Sequence, residues 1–179
     1  QIELTVVPVE NAIEGSVNIT LDYIVHEVDI PIVGEITVPI KQHFMVHPDN
    51  VHNWQEATEI LSHSHALAQC HKFLHKQCKG INCENTTSTA AAAQAVKAQP
   101  ERNIAAIANE LAAKEYGLAI VKRDIHDFDY NHTRFLVLSK KVIEFNTTEV
   151  AFSGYKTTLM ITLPSDFSGA LHQVLSAFA

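Results

Sequence analysis

Residues Gly34–Val46 read GEITVPIKQHFMV, and the way this stretch is divided decides the fold. Ile36, Val38, Ile40, Phe44 and Val46 share one parity, which predicts a single long half-buried strand with Pro39 tolerated at a sheet edge. Upstream, LTVVPVEN predicts a buried strand from Leu4 to Val7 that Pro8 ends. After a polar loop, Val17, Leu21, Ile24 and Val28 recur at helical spacing behind Ser16, the expected N-cap.

Downstream the alternation continues. TEILSHSHALAQCHKFLHKQC predicts a short strand ending near Leu61, a loop, and a helix carrying Leu67, Cys70 and Leu74 on one face. CENTTSTAAAAQAV opens an alanine-rich helix behind Thr87 and Ser88, and NIAAIANELAAKEYG reads as strand, helix and a stop at Gly117. LAIVKRDI and RFLVLS add strands. This order argues an α/β architecture with largely parallel sheets, and SKKVIEFNTTEVAFSGYK is polar and irregular enough to join two domains.

The 179 residues are 46% apolar and 18% charged, a globular composition long enough for one or two small cores. A formal charge of -7 argues against nucleic acid or an anionic membrane as partner but leaves room for a local basic pocket. Cys70, Cys78 and Cys83 are too few and odd in number for a disulfide framework. With no signal peptide or long apolar span, a cytoplasmic location is expected.

Polar clusters at Glu10–Asn11, Ser62–His65 and Thr86–Thr89 each lie at or just before an expected helix N-terminus, where free N–H groups and the macrodipole favour an anion. Plain capping explains any one of them. Within NHTRF, Thr133 and Arg134 place a hydroxyl and a fixed positive charge at the mouth of a buried strand. Together these features suit a cleft for a carboxylate or phosphate, while Arg134 could equally pair with Glu10 or Asp127. His71 and His75 at i, i+4 with Cys78 and Cys83 beyond could present two nitrogens and two sulfurs to zinc, but structural zinc sites use closer cysteine pairs, so no metal is expected, and no cofactor. A Gly-x-Ser-x-Gly elbow, a P-loop and a dinucleotide fingerprint are all missing.

VVPVENAIEGSVNITLD, GEITVPI, LSHSHALAQC, STAAAA, AAIANELAAKEYGL and NHTRFLVLS occur in the order and spacing of the prephenate dehydratase family, and the chain resembles it from about Thr5 to Ser139. YKTTLMITLPSDFSGALHQVLSAFA is similar to the first strand and helix of the ACT regulatory domain, an α+β ferredoxin-like fold. The resemblance implies a fragment lacking both ends, with a two-lobed catalytic region similar to type II periplasmic binding proteins. Lobe 1 would hold about 1–35 and 132–141, lobe 2 about 36–131, with a linker at 142–154 and the truncated ACT start at 155–179.

The implied reaction is decarboxylating dehydration of prephenate to phenylpyruvate in phenylalanine biosynthesis. Thr133 matches the family's essential threonine, and Asn11, Ser62 and Gln69 match active-site positions. Glu10, His63, Ser88, Thr89, Arg134 and Phe135 flank or extend them as substrate-binding residues. Phenylalanine would act as effector of the complete protein, through Gly169, Ala170 and Leu171, and the assembly would be a homodimer or homotetramer. Ala12, Ser64, His65 and Ser168 depart from the family's usual residues, the last in the effector region. The competing readings are arogenate dehydratase, whose substrate carries an ammonium in place of the keto group, and a non-catalytic small-anion-binding homologue.

Overall fold

The computed structural model describes residues 3–141, 156–161, 163 and 167–178. In it Gly34–Val46 is not one strand. β3 (Ile32–Pro39) and β4 (His43–Val46) lie in different sheets, and the chain crosses between them at residues 40–42. Pro39 has no N–H with which to extend a ladder, and the polar Lys41, Gln42 and His43 follow it. Ile36 and Val38 are 45% and 41% exposed, whereas Phe44, Met45 and Val46 are all at 0%. The shared parity therefore joined residues of two sheets, and the first sheet extends past Ile36 to Pro39.

The first sheet has the order β2-β1-β9-β3 and is antiparallel throughout, with β1 at Thr5–Asn11, β2 at Gly15–Ser16 and β9 at His132–Leu138. β1 does not stop at Pro8, which lies opposite Phe135 just before a bulge leading to Glu10. On its other side β1 pairs with β2 only at Glu10 and Asn11, so Pro8 sits where no donor is required. Ser16 belongs to β2 and caps nothing. The helix α1 (Asn18–Asp22) follows Val17 without a side-chain cap and continues as a π turn over Tyr23–Glu27. Leu21 and Ile24 pack on Val9, Leu136 and Leu138 as their spacing predicts, whereas Val28 is already extended.

The second sheet has the order β6-β5-β7-β4-β8, with β5 at Glu59–Ser62, β6 at Asn82–Asn85, β7 at Ile104–Ala108 and β8 at Ala119–Lys122. Only β5–β6 and β5–β7 are parallel, so the expectation of largely parallel sheets is corrected. β4 enters from the first sheet and runs antiparallel between β7 and β8, without the helical crossover a parallel neighbour needs. α4 (Thr89–Ala98) and α5 (Glu110–Tyr116) cover one face through Ala92, Ala93, Val96, Ala112 and Ala113, whose small side chains let the helices sit close to the equally small β7. α2 (Ser64–Gln69) and α3 (His71–Gln77) cover the other face. They break at Cys70, yet Leu67, Cys70 and Leu74 share the buried side as expected. Gly117 ends α5 at φ 68°, a left-handed conformation that glycine adopts without a Cβ penalty.

In the tail, residues 156–161 form no ladder with any of the described residues, and Leu159 and Met160 stand exposed. α6 (Ala170–Leu175) does form. The expected linker at 142–154 lies outside the described residues.

The return crossing, residues 123–131, is bonded to the outgoing one. Ile40 N–H donates to Asn131 O at 2.9 Å, Ile125 N–H to Gln42 O at 2.9 Å, and Asp124 N–H to His43 Nδ1 at 3.0 Å. His43 is buried, and burial holds its imidazole below the ordinary value against the opposing pull of the Asp124 carboxylate. The unfolded chain thus takes up a proton near pH ~6.5 that the fold resists, so this contribution is complete above that value and is lost as pH falls through the lowered folded one. The urea midpoint should drop between pH 7.5 and 5, and His43→Asn, which keeps an acceptor but does not titrate, should flatten that drop. An identical pH slope in the variant overturns the assignment.

Candidate functional site

Side chains alternate along β9, and the alternation separates its two most suggestive residues. Thr133 lies opposite Asn11 and Arg134 opposite Glu10. On the outer side of this pairing Arg134 Nη1 is 3.3 Å from Glu10 Oε2, and its Nε is 3.8 Å from Glu35 Oε2. The anions that meet this arginine are the protein's own carboxylates.

Thr133 faces the opposite way. Asn11 Nδ2 donates to Thr133 Oγ1 at 3.0 Å and lies 3.2 Å from Asn131 Oδ1. Asn11 Oδ1 accepts from the N–H groups of Ile13 and Glu14 at 2.9 and 3.0 Å, which fixes the amide and its orientation. Because Thr133 Oγ1 accepts from Asn11, its own proton is free to be donated elsewhere. Both residues line a cavity of about 380 Å³ between the two sheets.

The facing wall comes from the second sheet. His63 caps α2, its Nδ1 accepting from His65 N–H at 3.3 Å, and Gln69 stands at that helix's end. Ser88 caps α4, accepting from Ala91 N–H at 3.0 Å, and Thr86 Oγ1 donates to Ser88 O at 2.9 Å to lock the loop. Thr87, Ser88 and Thr89 thus present the start of a ten-residue helix to the cavity, a site of positive potential. Among the described residues no lysine or arginine lines this cavity, so an anion here is met by the helix terminus, hydroxyls and amides. The walls meet where His65 Nδ1 is 3.0 Å from Glu14 Oε1.

The structure therefore gathers Asn11, Gln69, Thr133, His63, Ser88 and Thr89 around one cavity. Glu10 and Arg134 pair on the outer face, and Phe135 lies further along β9 between Pro8 and Ile36. Ser62 is 0% exposed, and its hydroxyl donates to Ile107 O at 2.6 Å inside the sheet. Gly169, Ala170 and Leu171 open α6, with Ala170 buried and Leu171 exposed, and do not line the cavity. Ile40, Gln42 and Ala66 line it without having been singled out in the sequence. The signal for Gln42 was the polar Lys41-Gln42-His43 run after Pro39, masked by reading Gly34–Val46 as one strand. His71 and His75 are exposed on α3, and burial pushes the thiols of Cys70 and Cys78 up to about 12 and about 11, so neither is a ready thiolate.

A family model described as prephenate dehydratase matches residues 1–143. The chain belongs to the prephenate dehydratase family. It is 54% identical over 181 residues to the prephenate dehydratase of Bacillus subtilis, covering all of this chain and 64% of that protein. The fold is similar to the crystal structure of the Staphylococcus aureus prephenate dehydratase, with a TM-score of 0.73, 28% identity, and coverage of 98% of this chain and 61% of that one. It is also similar to the Arthrobacter aurescens prephenate dehydratase in complex with L-Phe, with a TM-score of 0.72, 28% identity, and coverage of 98% and 56%. The chain thus spans about three-fifths of the length of these family members.

The buried Ser62 generates an expectation opposite to a catalytic one. Ser62→Ala removes a buried hydrogen bond and should cost about 1–2 kcal/mol, read as a lower urea midpoint. Ligand affinity at the cavity should stay within about threefold of wild type, since the hydroxyl does not reach it. Loss of affinity without loss of stability would return Ser62 to the site.

Proposed function

We propose that the cavity between the two sheets is a prephenate dehydratase active site, converting prephenate to phenylpyruvate. The observation that carries this reading is the Asn11–Thr133 hydrogen bond, which leaves the Thr133 proton to be donated into the cavity opposite an anion-favouring helix terminus. Family membership supports it.

Prephenate brings two carboxylates and a hydroxyl on the ring carbon C4. The start of α4 favours a carboxylate, and Thr133 donates to the C4 oxygen. The bond from the ring to its carboxylate breaks, that electron pair enters the ring, and the C4–O bond breaks as the oxygen takes a proton and departs as water. Carbon dioxide leaves, one proton is consumed, and the ring becomes aromatic. Because aromatisation drives the reaction, the protein mainly positions its substrate. A threonine hydroxyl is a weak acid, so its donation needs alignment and a proton relayed back from solvent.

Phenylalanine as effector at Gly169, Ala170 and Leu171 belongs to the same reading, supported by the L-Phe complex of the Arthrobacter aurescens relative. A homodimer or homotetramer is supported by the exposed apolar run Leu159, Met160 and Ile161. No helix among the described residues is long and apolar enough to cross a membrane, and a cytoplasmic location is part of the proposal.

The test is turnover by the complete polypeptide on prephenate and, separately, on arogenate. Thr133→Ala should lower kcat by on the order of 100-fold or more with little change in KM, and Thr133→Ser, which keeps the hydroxyl, should recover much of the loss. A tenfold higher KM with unchanged kcat would make Thr133 a binding residue only.

A further inference from the structure

Gln42 sits on the outgoing crossing at the floor of the cavity. Both of its backbone groups are engaged by the return crossing: its N–H with His126 Nδ1 at 3.4 Å, and its carbonyl with Ile125 N–H at 2.9 Å. The side chain is therefore placed by main-chain bonds on both sides. It is 7% exposed and lines the cavity with Asn11 and Thr133, yet its carboxamide oxygen is buried with no hydrogen-bond partner among the described residues.

A buried acceptor left without a donor is costly, and an apolar side chain of the same length would fill the space without that cost. A half-turn of the terminal carboxamide exchanges its oxygen and nitrogen, so in a residue that lines the cavity this unmatched acceptor is within reach of a donor that arrives with a ligand. Thr133 already supplies a proton to the same space. A hydroxyl placed there accepts from Thr133 and still has its own hydrogen to give.

We propose that Gln42 is a further substrate-contacting residue, whose carboxamide oxygen accepts the hydrogen bond of the substrate's departing hydroxyl. The inference rests on the dehydratase reading above. Thr133 and Gln42 then hold the leaving oxygen from two sides, one donating and one accepting, which fixes it while the C4–O bond breaks. The hydroxyl is the one hydrogen-bond donor that prephenate dianion carries, so it is the group an unmatched acceptor selects. The product, phenylpyruvate, has lost it.

The experiment uses the complete polypeptide and the variants Gln42→Met and Gln42→Leu, with melting temperature, prephenate kinetics and inhibition by phenylpyruvate measured on each. Both variants should melt at or above wild type, because the unmatched acceptor is gone. kcat/KM for prephenate should fall about 10-fold or more, while the phenylpyruvate inhibition constant should stay within about twofold. Activity retained within about twofold overturns the proposal. So does a parallel loss of melting temperature, turnover and product affinity, which marks Gln42 as structural. An equal loss of prephenate and phenylpyruvate affinity in well-folded variants also overturns it, by assigning Gln42 to a carboxylate. Absence of prephenate turnover in the wild type sinks the dehydratase reading itself, and this assignment with it.

Discussion

The chain passes between its two sheets twice, and hydrogen bonds between those passages govern the rest of the structure. Ile40 to Asn131, Ile125 to Gln42 and Asp124 to His43 tie the outgoing segment to the returning one. This lacing brings the end of β1, the start of β9 and the helix starts of the second sheet to one place. Asn131, whose side chain meets Asn11, and Gln42, which forms the floor, are both members of it. A site assembled this way takes its precision from main-chain hydrogen bonds that fix the crossing segments.

The same economy appears in the handling of charge. Arg134 looks from sequence like the group that greets an anionic ligand, but on an antiparallel strand it must face away from Thr133, and Glu10 and Glu35 meet it there. Exposed pairs of this kind add little to stability, so their consequence is mainly to keep a guanidinium out of the cavity. The cavity relies instead on the start of α4, on hydroxyls and on amides. That choice suits the proposed reaction, in which one negative charge is neutralised as the departing oxygen takes up a proton, because dipoles bind a dianion without holding a monoanionic product as tightly as a fixed cation would.

Much of the fold was legible because its signals are local. Ser88 caps α4 and Gly117 stops α5 where their residue types predict, and Leu67, Cys70 and Leu74 share a face because a helix repeats every few residues. Several misreadings sit where a local rule meets the pairing of one strand with another. Pro8 is tolerated inside β1 because nothing pairs with it on one side, and Ser16 joins β2 rather than capping a helix. Thr157 to Ile161 has strand-forming residues, but none of the described residues supplies it with a ladder.

The order of elements, the α/β class, the family and most of the residues around the cavity are legible in the amino acids alone, through periodicity, caps and an ordered set of motifs. Tertiary structure alone decided that GEITVPIKQHFMV is two strands in two sheets, that Ser62 turns inward to Ile107, and that Arg134 and Thr133 part company. The physical reason is the same in each case. Which face of a strand is buried depends on what the other strands and helices bring to it, and parity along one segment carries no record of its partners.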